Sequence, residues 1–596
     1  MSQLKQIHAN MIRVGVTTHT TFPAYLYAEP NLDIWNTIIK QYCKSKFPKS
    51  SLLLFRQMLR KQVEMNKHTY VHALKACELF RGSYFVLQQL HCRIRKLGFD
   101  SDIVLRNVFI HLYGKHGYLT SARNVFDESL VKDVFSWTTM IECYTQKRLP
   151  NESLKLFYLM LESGVEPNEV TMVAVLSACC ILGNVCTGKL VHGYIVKSSI
   201  ECSLNMMNTL MDMYIKCGCV TTAGEIFEKM EIKDVYSWTI MIDGFAKHGE
   251  LEVARQFFNR LPEKNVVSWN AMIAGYSQKN KPKEALELFH QMEKTSLRPV
   301  EGTLVCVFSS CAQLGSLDLG GKIYQYYVDQ KRVQPSVILA NAYIDMCAKC
   351  GSIDAAAELF NRMTERDLVS WNSMIVGYAV HGYAEQALDL FKRMQRVGMK
   401  PDDITLVGVL SACSHGGLVV QGREYFESMR TIFSIQPNSK HYACMIDLLG
   451  RVGRLDEAFD LIKRMPMKPD EAAWGALLSS CRMHGNVDLG KYASIKLLEL
   501  DSDDSGTYAV LANMYASKRK WDDVRMVRSM MRARGVKKTP GVSSVEVDGK
   551  SHEFLVEDKS HPQSEELYGL LDDILMLLKL EGYVPRPSYH IENVGR

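Results

Sequence analysis

At 596 residues the chain has room for about four ordinary globular domains. With 47% hydrophobic and 23% charged residues it reads as folded, which excludes a disordered or low-complexity protein. The net charge of +6, from 71 Lys+Arg against 65 Asp+Glu, is compatible with a polyanionic partner and requires none.

In chain order, the first element is LKQIHANMIRVGV (4–16), which matches LQQLHCRIRKLGF (87–99) position by position. Residues 1–31 therefore read as a degenerate partial repeat with its second helix present and its first missing. Residues 1–28 hold Lys5 and Arg13 but no Asp or Glu, a composition that also suits an organellar presequence. The internal match favours the repeat.

Further along, cysteines recur at one position, in LKAC (74–77), LSAC (176–179), FSSC (308–311) and LSAC (410–413). The total of 17 is odd, and the recurrence points to reduced helix-packing residues rather than a disulfide framework. The uncharged run Val170–Gly188 is interrupted by Gly183-Asn184, so it reads as a helical hairpin and not as a membrane span.

The segment VVSWNAMIAGYSQKNKPKEALELFHQMEKTSLRPV (266–300) shows the repeating unit most clearly. Trp269, Met272, Ile273 and Tyr276 share one face of a first helix. A second helix opens near Pro282, carries Ala285, Leu288, Phe289 and Met292 at the same spacing, and stops before Pro299. A hairpin this short cannot bury two apolar stripes alone and must stack on copies of itself. The copies are marked by Trp35, Trp137, Trp238, Trp269, Trp371 and Trp474. The steps Trp35–Trp137 and Trp269–Trp371 are each 102 residues, as are Cys77–Cys179 and Cys311–Cys413. That period is a triplet of unequal hairpins, seen in LVSWNSMIVGYAVHG (368–382), DITLVGVLSACSHGG (403–417) and VILANAYIDMCAKCG (337–351).

These strings closely resemble plant pentatricopeptide repeat (PPR) proteins of the class in which P-, L- and S-type repeats alternate. The resemblance divides residues 32–470 into thirteen repeats: P-type 32–66, L-type 67–102, S-type 103–133, P-type 134–168, L-type 169–203, S-type 204–234, S-type 235–265, P-type 266–300, L-type 301–336, S-type 337–367, P-type 368–402, L-type 403–438 and S-type 439–470. Residues 471–540 resemble the paired E motifs that close editing-type members. In the extension 541–596 the sequence suggests a short hairpin turning at Asp548-Gly549. A helix near Ser564–Leu580 follows, with Leu567, Leu570, Leu571, Ile574 and Leu578 on one face. Val542 and Ser544 stand where the family usually has Cys and Trp. The implied fold is all-α, a right-handed α-solenoid of stacked helix-turn-helix repeats with a small mixed C-terminal extension.

In this family the fifth and last residues of a repeat meet in the concave groove and read one RNA base. Carried over residue by residue, the pairs are Asn36/Asn66, Asn107/Asp133, Thr138/Asn168, Asn208/Asp234, Thr239/Asn265, Asn270/Val300, Asn341/Asp367, Asn372/Asp402 and Ala443/Asp470. Each polar member can present a donor or an acceptor to a splayed base. The competing explanation is that an Asn at a helix start only caps or solvates it. Val71, Val173, Val305 and Val407 hold the fifth position of L-type units and offer no hydrogen bond. The family's code turns the pairs into 5′-YnUAnUAYnUUnn. Lys and Arg in second helices and turns would hold phosphates.

A zinc deaminase needs His-x-Glu followed by Pro-Cys-x-x-Cys. His248-Gly249-Glu250 lies in a repeat turn, and His590-Ile591-Glu592 has no cysteine after it. Cys347 and Cys350 make the one Cys-x-x-Cys because Cys347 replaces the tyrosine found at Tyr214. Gly549-Lys550-Ser551 resembles a phosphate loop but lacks its glycine at Ser544. The sequence thus reads as no enzyme, without the DYW deaminase domain and with no metal or cofactor. The resemblance implies a single-stranded organellar RNA partner, a deaminase-bearing PPR protein and small organellar RNA editing factors as further partners, and no membrane. Mitochondrial location is expected, with the chloroplast as the alternative. A transcript stabilisation or processing factor, or a tetratricopeptide-like peptide scaffold, are the rival readings; uniform repeats near 34 residues would suit the scaffold better than this unequal triplet.

Overall fold

The alternation of unequal hairpins is decided by the second helix of each repeat, while the first stays constant. The computed structural model describes residues 32–44, 48–78, 84–198, 200–330, 334–501, 503–537, 541–547, 550–555 and 559–583. The partial repeat expected over 1–31, the Asp548-Gly549 turn and His590–Glu592 lie outside them. First helices run 13 or 14 residues in P- and S-type repeats alike, as in Val134–Gln146, Val235–His248 and Leu368–Val380. Second helices of P-type repeats run 12 or 13 residues, as in Pro150–Glu162 and Pro282–Glu293. Those of S-type repeats stop after 9 or 10, as in Leu119–Asp127 and Ile353–Arg362. The 31-residue unit is short for that reason.

The chain divides into two compact units, residues 1–275 and 276–596. Within each, the first helix of a repeat packs on the first helix of the next, and each second helix closes its own hairpin. The architecture is an all-α solenoid. In the first unit the joint between repeats is an aromatic pair: Phe126 meets Trp137 edge-on at 4.9 Å, Phe227 meets Trp238 at 4.8 Å and Phe258 meets Trp269 at 4.8 Å. In the second unit Phe360 and Trp371 repeat it at 5.2 Å. A cation covers each phenylalanine as well: Lys132, Lys233, Lys264 and Arg366 lie 5.2, 5.3, 5.2 and 4.8 Å from the ring centres. Edge-to-face pairs contribute about 0.5–1.5 kcal/mol beyond burial, and the cation adds to that. Each of these cations is the residue just before the last residue of an S-type repeat, so the joint also fixes where the next helix begins.

The repeated cysteines Cys77, Cys179, Cys311 and Cys413 are fully buried. Burial pushes Cys179 and Cys413 up to about 12, so they pack as small apolar groups and stay protonated at neutral pH. Gly183, in the left-handed region with φ 66°, ends one 14-residue helix, and Asn184 caps the 13-residue helix that follows. The uncharged run 170–188 is therefore a hairpin, and no helix among the described residues is long and apolar enough to cross a membrane.

The L-to-S joint is not the same in every triplet. His91–Tyr113 at 3.2 Å and His192–Tyr214 at 2.8 Å tie an L-type second helix to the following first helix. In 301–367 these places hold Tyr324 and Cys347, and the contact moves back one turn: Tyr324 stacks on Tyr343 at 3.9 Å. There the second helix widens into a π-turn over Gln325–Asp329.

After the repeats, helices Glu471–His484, Val487–Leu500, Ser505–Ser517 and Trp521–Ala533 form two more hairpins around Trp474, Leu477 and Tyr508. An antiparallel hairpin of β1 (Val542–Val547) and β2 (Lys550–Leu555) follows, with Val547 opposite Lys550. Glu553 on β2 makes a 2.6 Å ion pair with Lys283. The last helix, Ser564–Leu580, has no buried residue, and its apolar stripe with Leu570 and Leu571 is left uncovered.

First helices stack so closely that one Cβ is too many at some glycines. A Cβ on Gly244 would lie 2.5 Å from Ile215 Cδ1, whereas one on Gly224 would meet nothing nearer than 3.8 Å. Gly244→Ala should lower stability by about 1–3 kcal/mol through overpacking. Gly224→Ala, in an open helical place, should raise it by about 0.5–1 kcal/mol. Thermal unfolding of both variants followed by circular dichroism checks the opposite signs.

Candidate nucleic-acid interface

The residue that ends one repeat begins the first helix of the next. Asp133, Asn168, Asp234, Asp367, Asp402 and Asp470 are N-caps in extended backbone whose side chains accept the N–H three residues on. Asn66 and Asn265 accept the equivalent N–H groups of Thr69 and Ser268 at 3.1 and 2.9 Å. Capping is therefore real, but it is the work of the last residue and not of the fifth.

The fifth residue sits on the first helix, nearly buried, and reaches forward to that cap. Asn341 Nδ2 donates to Asp367 Oδ1 at 2.9 Å and Asn372 Nδ2 to Asp402 Oδ1 at 3.0 Å. Asn107 and Asp133 are joined in the same way at 3.3 Å, Asn208 and Asp234 at 3.4 Å, and Asn36 and Asn66 at 3.5 Å. Thr138 is linked to Asn168 through Thr171, whose hydroxyl is 2.7 Å from Thr138 Oγ1 and donates to Asn168 Oδ1 at 2.9 Å. Thr239 turns back to its own helix, donating to the Val235 carbonyl at 2.8 Å, and is not hydrogen-bonded to Asn265. Ala443 has no side-chain polar atom to offer Asp470, which caps Ala473 at 3.1 Å. Asn270 lies in the first unit and the exposed Val300 in the second.

In four of these pairs the carboxyl is held below the usual carboxylate range. Partial burial of Asp133, Asp234, Asp367 and Asp402 acts to raise the pKa. Hydrogen bonds from the helix N–H, the Ser or Thr hydroxyl and the asparagine amide outweigh it. One oxygen, Oδ1, takes these bonds, for instance from Ser136 N and Asn107 Nδ2 around Asp133, with the Ser136 hydroxyl 2.7 Å from both Asp133 Oδ1 and Asn107 Oδ1. The arrangement is a row of preset amide–carboxylate pairs.

Sequence reading overlooked two sets of residues. The second residue of many repeats is a large apolar side chain more than half exposed: Val104, Phe135, Val170, Tyr236 and Val267 in the first unit, and Ile338, Val369 and Ile404 in the second. Each stands three residues before the fifth, which makes the two neighbours on one helix face. The signal was an apolar residue at a period that fits no buried stripe. The third residue is the other set: Thr69, Ser136, Thr171, Ser237, Ser268, Ser370 and Thr405 are fully or almost fully buried hydroxyls at the pair. Many lysines, by contrast, are spoken for: Lys216, Lys247 and Lys349 pair with Asp212, Asp243 and Asp345 one turn earlier at 2.6–2.8 Å.

A depressed carboxyl pKa gives stability that is complete above the unfolded-state value, about 3.9, and disappears as pH falls through the lower folded value. The melting temperature should therefore drop on acidification below about pH 4. The drop should be smaller when Asp133, Asp234, Asp367 and Asp402 are all replaced by Asn, which caps a helix without titrating. Melting curves of both proteins from pH 7 to pH 3 check this.

Known proteins bear on this geometry. A PPR repeat family description matches residues 30–78, 132–181, 264–313 and 366–415, and a second PPR repeat description matches 104–134, 206–235, 236–266, 338–368 and 441–468. An E motif matches 484–546 and an E+ motif 552–576. A mitochondrial pentatricopeptide repeat-containing protein of Arabidopsis thaliana is 43% identical, over 91% of this chain and 80% of the relative. A chloroplastic one from the same plant is 36% identical, over 99% of this chain and 82% of its own length. Among solved structures, the pentatricopeptide repeat protein PPR10 in complex with an 18-nt psaJ RNA element is similar in fold with a TM-score of 0.51. It shares 16% identity across 90% of this chain and 84% of that one. The chain belongs to the pentatricopeptide repeat family, as a PLS-class member that carries E and E+ motifs after its repeats.

Proposed function

We propose that the protein is a sequence-specific single-stranded RNA-binding factor that selects sites for C-to-U editing of organellar transcripts, with the deaminase supplied by another protein. The observation that carries this reading is the recurrent pair in which a fifth-position Asn donates to the next helix's capping Asp. Such a pair leaves an amide edge of fixed orientation for a base edge. The exposed apolar residues beside it offer faces for the bases to stack against, an interaction worth about 1–3 kcal/mol per base. The RNA-bound state of PPR10, a protein of like fold, supports an RNA ligand. The E and E+ motifs support editing over other RNA roles.

In this reading the groove takes 5′-YnUAnUAYnUUnn, and the edited cytidine lies a few nucleotides 3′ of the base facing Ala443/Asp470. The uncovered leucine stripe of helix Ser564–Leu580 suits a partner such as a deaminase-bearing PPR protein or a small editing factor. Mitochondrial location is favoured because the mitochondrial relative is 43% identical against 36% and 35% for two chloroplastic ones, and the chloroplast is the alternative.

Replacing Asn341 and Asp367 by Thr and Asn should switch the preferred tenth nucleotide from U to A. The expected discrimination is about 1–3 kcal/mol, roughly tenfold or more in affinity. Binding of the full chain to both RNAs in a filter assay measures it, and an unchanged U preference would count against the code. Phe135→Ala should weaken binding by about 1–3 kcal/mol without changing base preference. Sequencing organellar transcripts from a plant lacking the protein tests editing: loss of C-to-U conversion at a matching site supports it. Altered transcript ends with intact editing would favour processing instead.

A further inference from the structure

Four repeats share the same Asn–Asp pair, yet their amides are not equivalent. A carboxylate only accepts, so Nδ2 of each asparagine must face the aspartate and Oδ1 must face away. What Oδ1 meets there depends on the third residue of the following repeat. For Asn107 it accepts the Ser136 hydroxyl at 2.7 Å, and for Asn372 the Thr405 hydroxyl at 2.6 Å. For Asn208 and Asn341 it is buried and has no hydrogen-bond partner among the described residues. All four hydroxyls lie at their capping aspartates, Ser136 and Ser237 at 2.7 Å and Ser370 and Thr405 at 2.8 Å, but only Ser136 and Thr405 also come within hydrogen-bond distance of the amide oxygen. All four asparagines are buried to a similar degree, so the difference between them lies in this contact.

A buried acceptor without a donor is penalised until a donor arrives, and a ligand that brings one is rewarded by the same amount. Uracil carries a donor, N3–H, in the middle of its Watson–Crick edge. Cytosine carries an acceptor at that atom. An amide whose oxygen is vacant therefore separates the two pyrimidines. One whose oxygen already holds a hydroxyl has mainly its remaining N–H to give, and either base can accept that.

We propose that the buried third-position hydroxyl is a positioning residue that sets how strictly each Asn–Asp pair distinguishes uracil from cytosine. Ser136 and Thr405 occupy the amide oxygens of Asn107 and Asn372 and make those two sites tolerant. Ser237 and Ser370 leave Asn208 and Asn341 open, and those two sites demand uracil. The inference rests on the reading of Asn–Asp pairs as uracil sites and adds a third residue to each.

The test uses the full chain and a single-stranded RNA of sequence 5′-YnUAnUAYnUUnn, with binding followed by fluorescence anisotropy. Uracil is replaced by cytosine, one nucleotide at a time, at the third, sixth, tenth and eleventh nucleotides, which face Asn107, Asn208, Asn341 and Asn372. Replacement at the sixth or tenth should weaken binding about tenfold, and at the third or eleventh only about twofold. Thr405→Val, which keeps the shape and removes the hydroxyl, should raise discrimination at the eleventh nucleotide to about tenfold. Ser136→Ala should do the same at the third and serves if the first variant does not fold by circular dichroism. Each variant should move discrimination at its own nucleotide only, whereas a merely structural role would disturb all sites alike. Equal discrimination at all four nucleotides, or ratios unmoved by Thr405→Val and Ser136→Ala, would overturn the inference and leave uracil reading intact. Absence of any base preference at the four would overturn the recognition reading itself.

Discussion

A single side-chain oxygen at the boundary between repeats, a carboxylate oxygen in four of them, is what the rest of this protein depends on. In Asp133, Asp234, Asp367 and Asp402, Oδ1 satisfies a backbone N–H that the start of a helix would otherwise leave without a partner, and it also accepts the amide of the preceding repeat. Helix initiation and the orientation of the amide are thus one hydrogen-bond network. Because that network is built from neighbouring repeats, a reading site exists only where two repeats have stacked.

The stacking is set to the same register by the joint beside it. A lysine or arginine, the phenylalanine beneath it and the next repeat's tryptophan form one layered contact, and the capping residue follows the cation directly. Close glycines let the first helices approach, as Gly244 does against Ile215. Length differences between repeats are absorbed by second helices, while first helices keep nearly the same length.

The departures from regularity carry information too. Cys347 removes the tyrosine that elsewhere meets a histidine, and Tyr343 restores an aromatic contact one turn earlier against Tyr324. The replacement was visible in the sequence; the compensation was not, because it involves a residue on another helix. Helix Ser564–Leu580 is similar. Its leucine stripe could be counted from spacing, but an amphipathic pattern does not say whether the chain itself covers the stripe, and among the described residues nothing buries it.

Much was fixed by sequence alone. Spacing of Trp35, Trp137, Trp269 and Trp371 gives a repeating helical hairpin, because apolar residues at helical intervals must find a partner surface and the nearest is the next copy. Fifth and last residues could be named from motif strings, since they are local identities. Tertiary structure alone decided how those residues are used. Asn107 and Asn341 are the same amino acid at the same position, yet one amide oxygen is occupied by a serine hydroxyl and the other is vacant. That difference is set by where side chains of separate helices come to rest, and hydrogen bonds depend on such placement in a way that residue patterns cannot record.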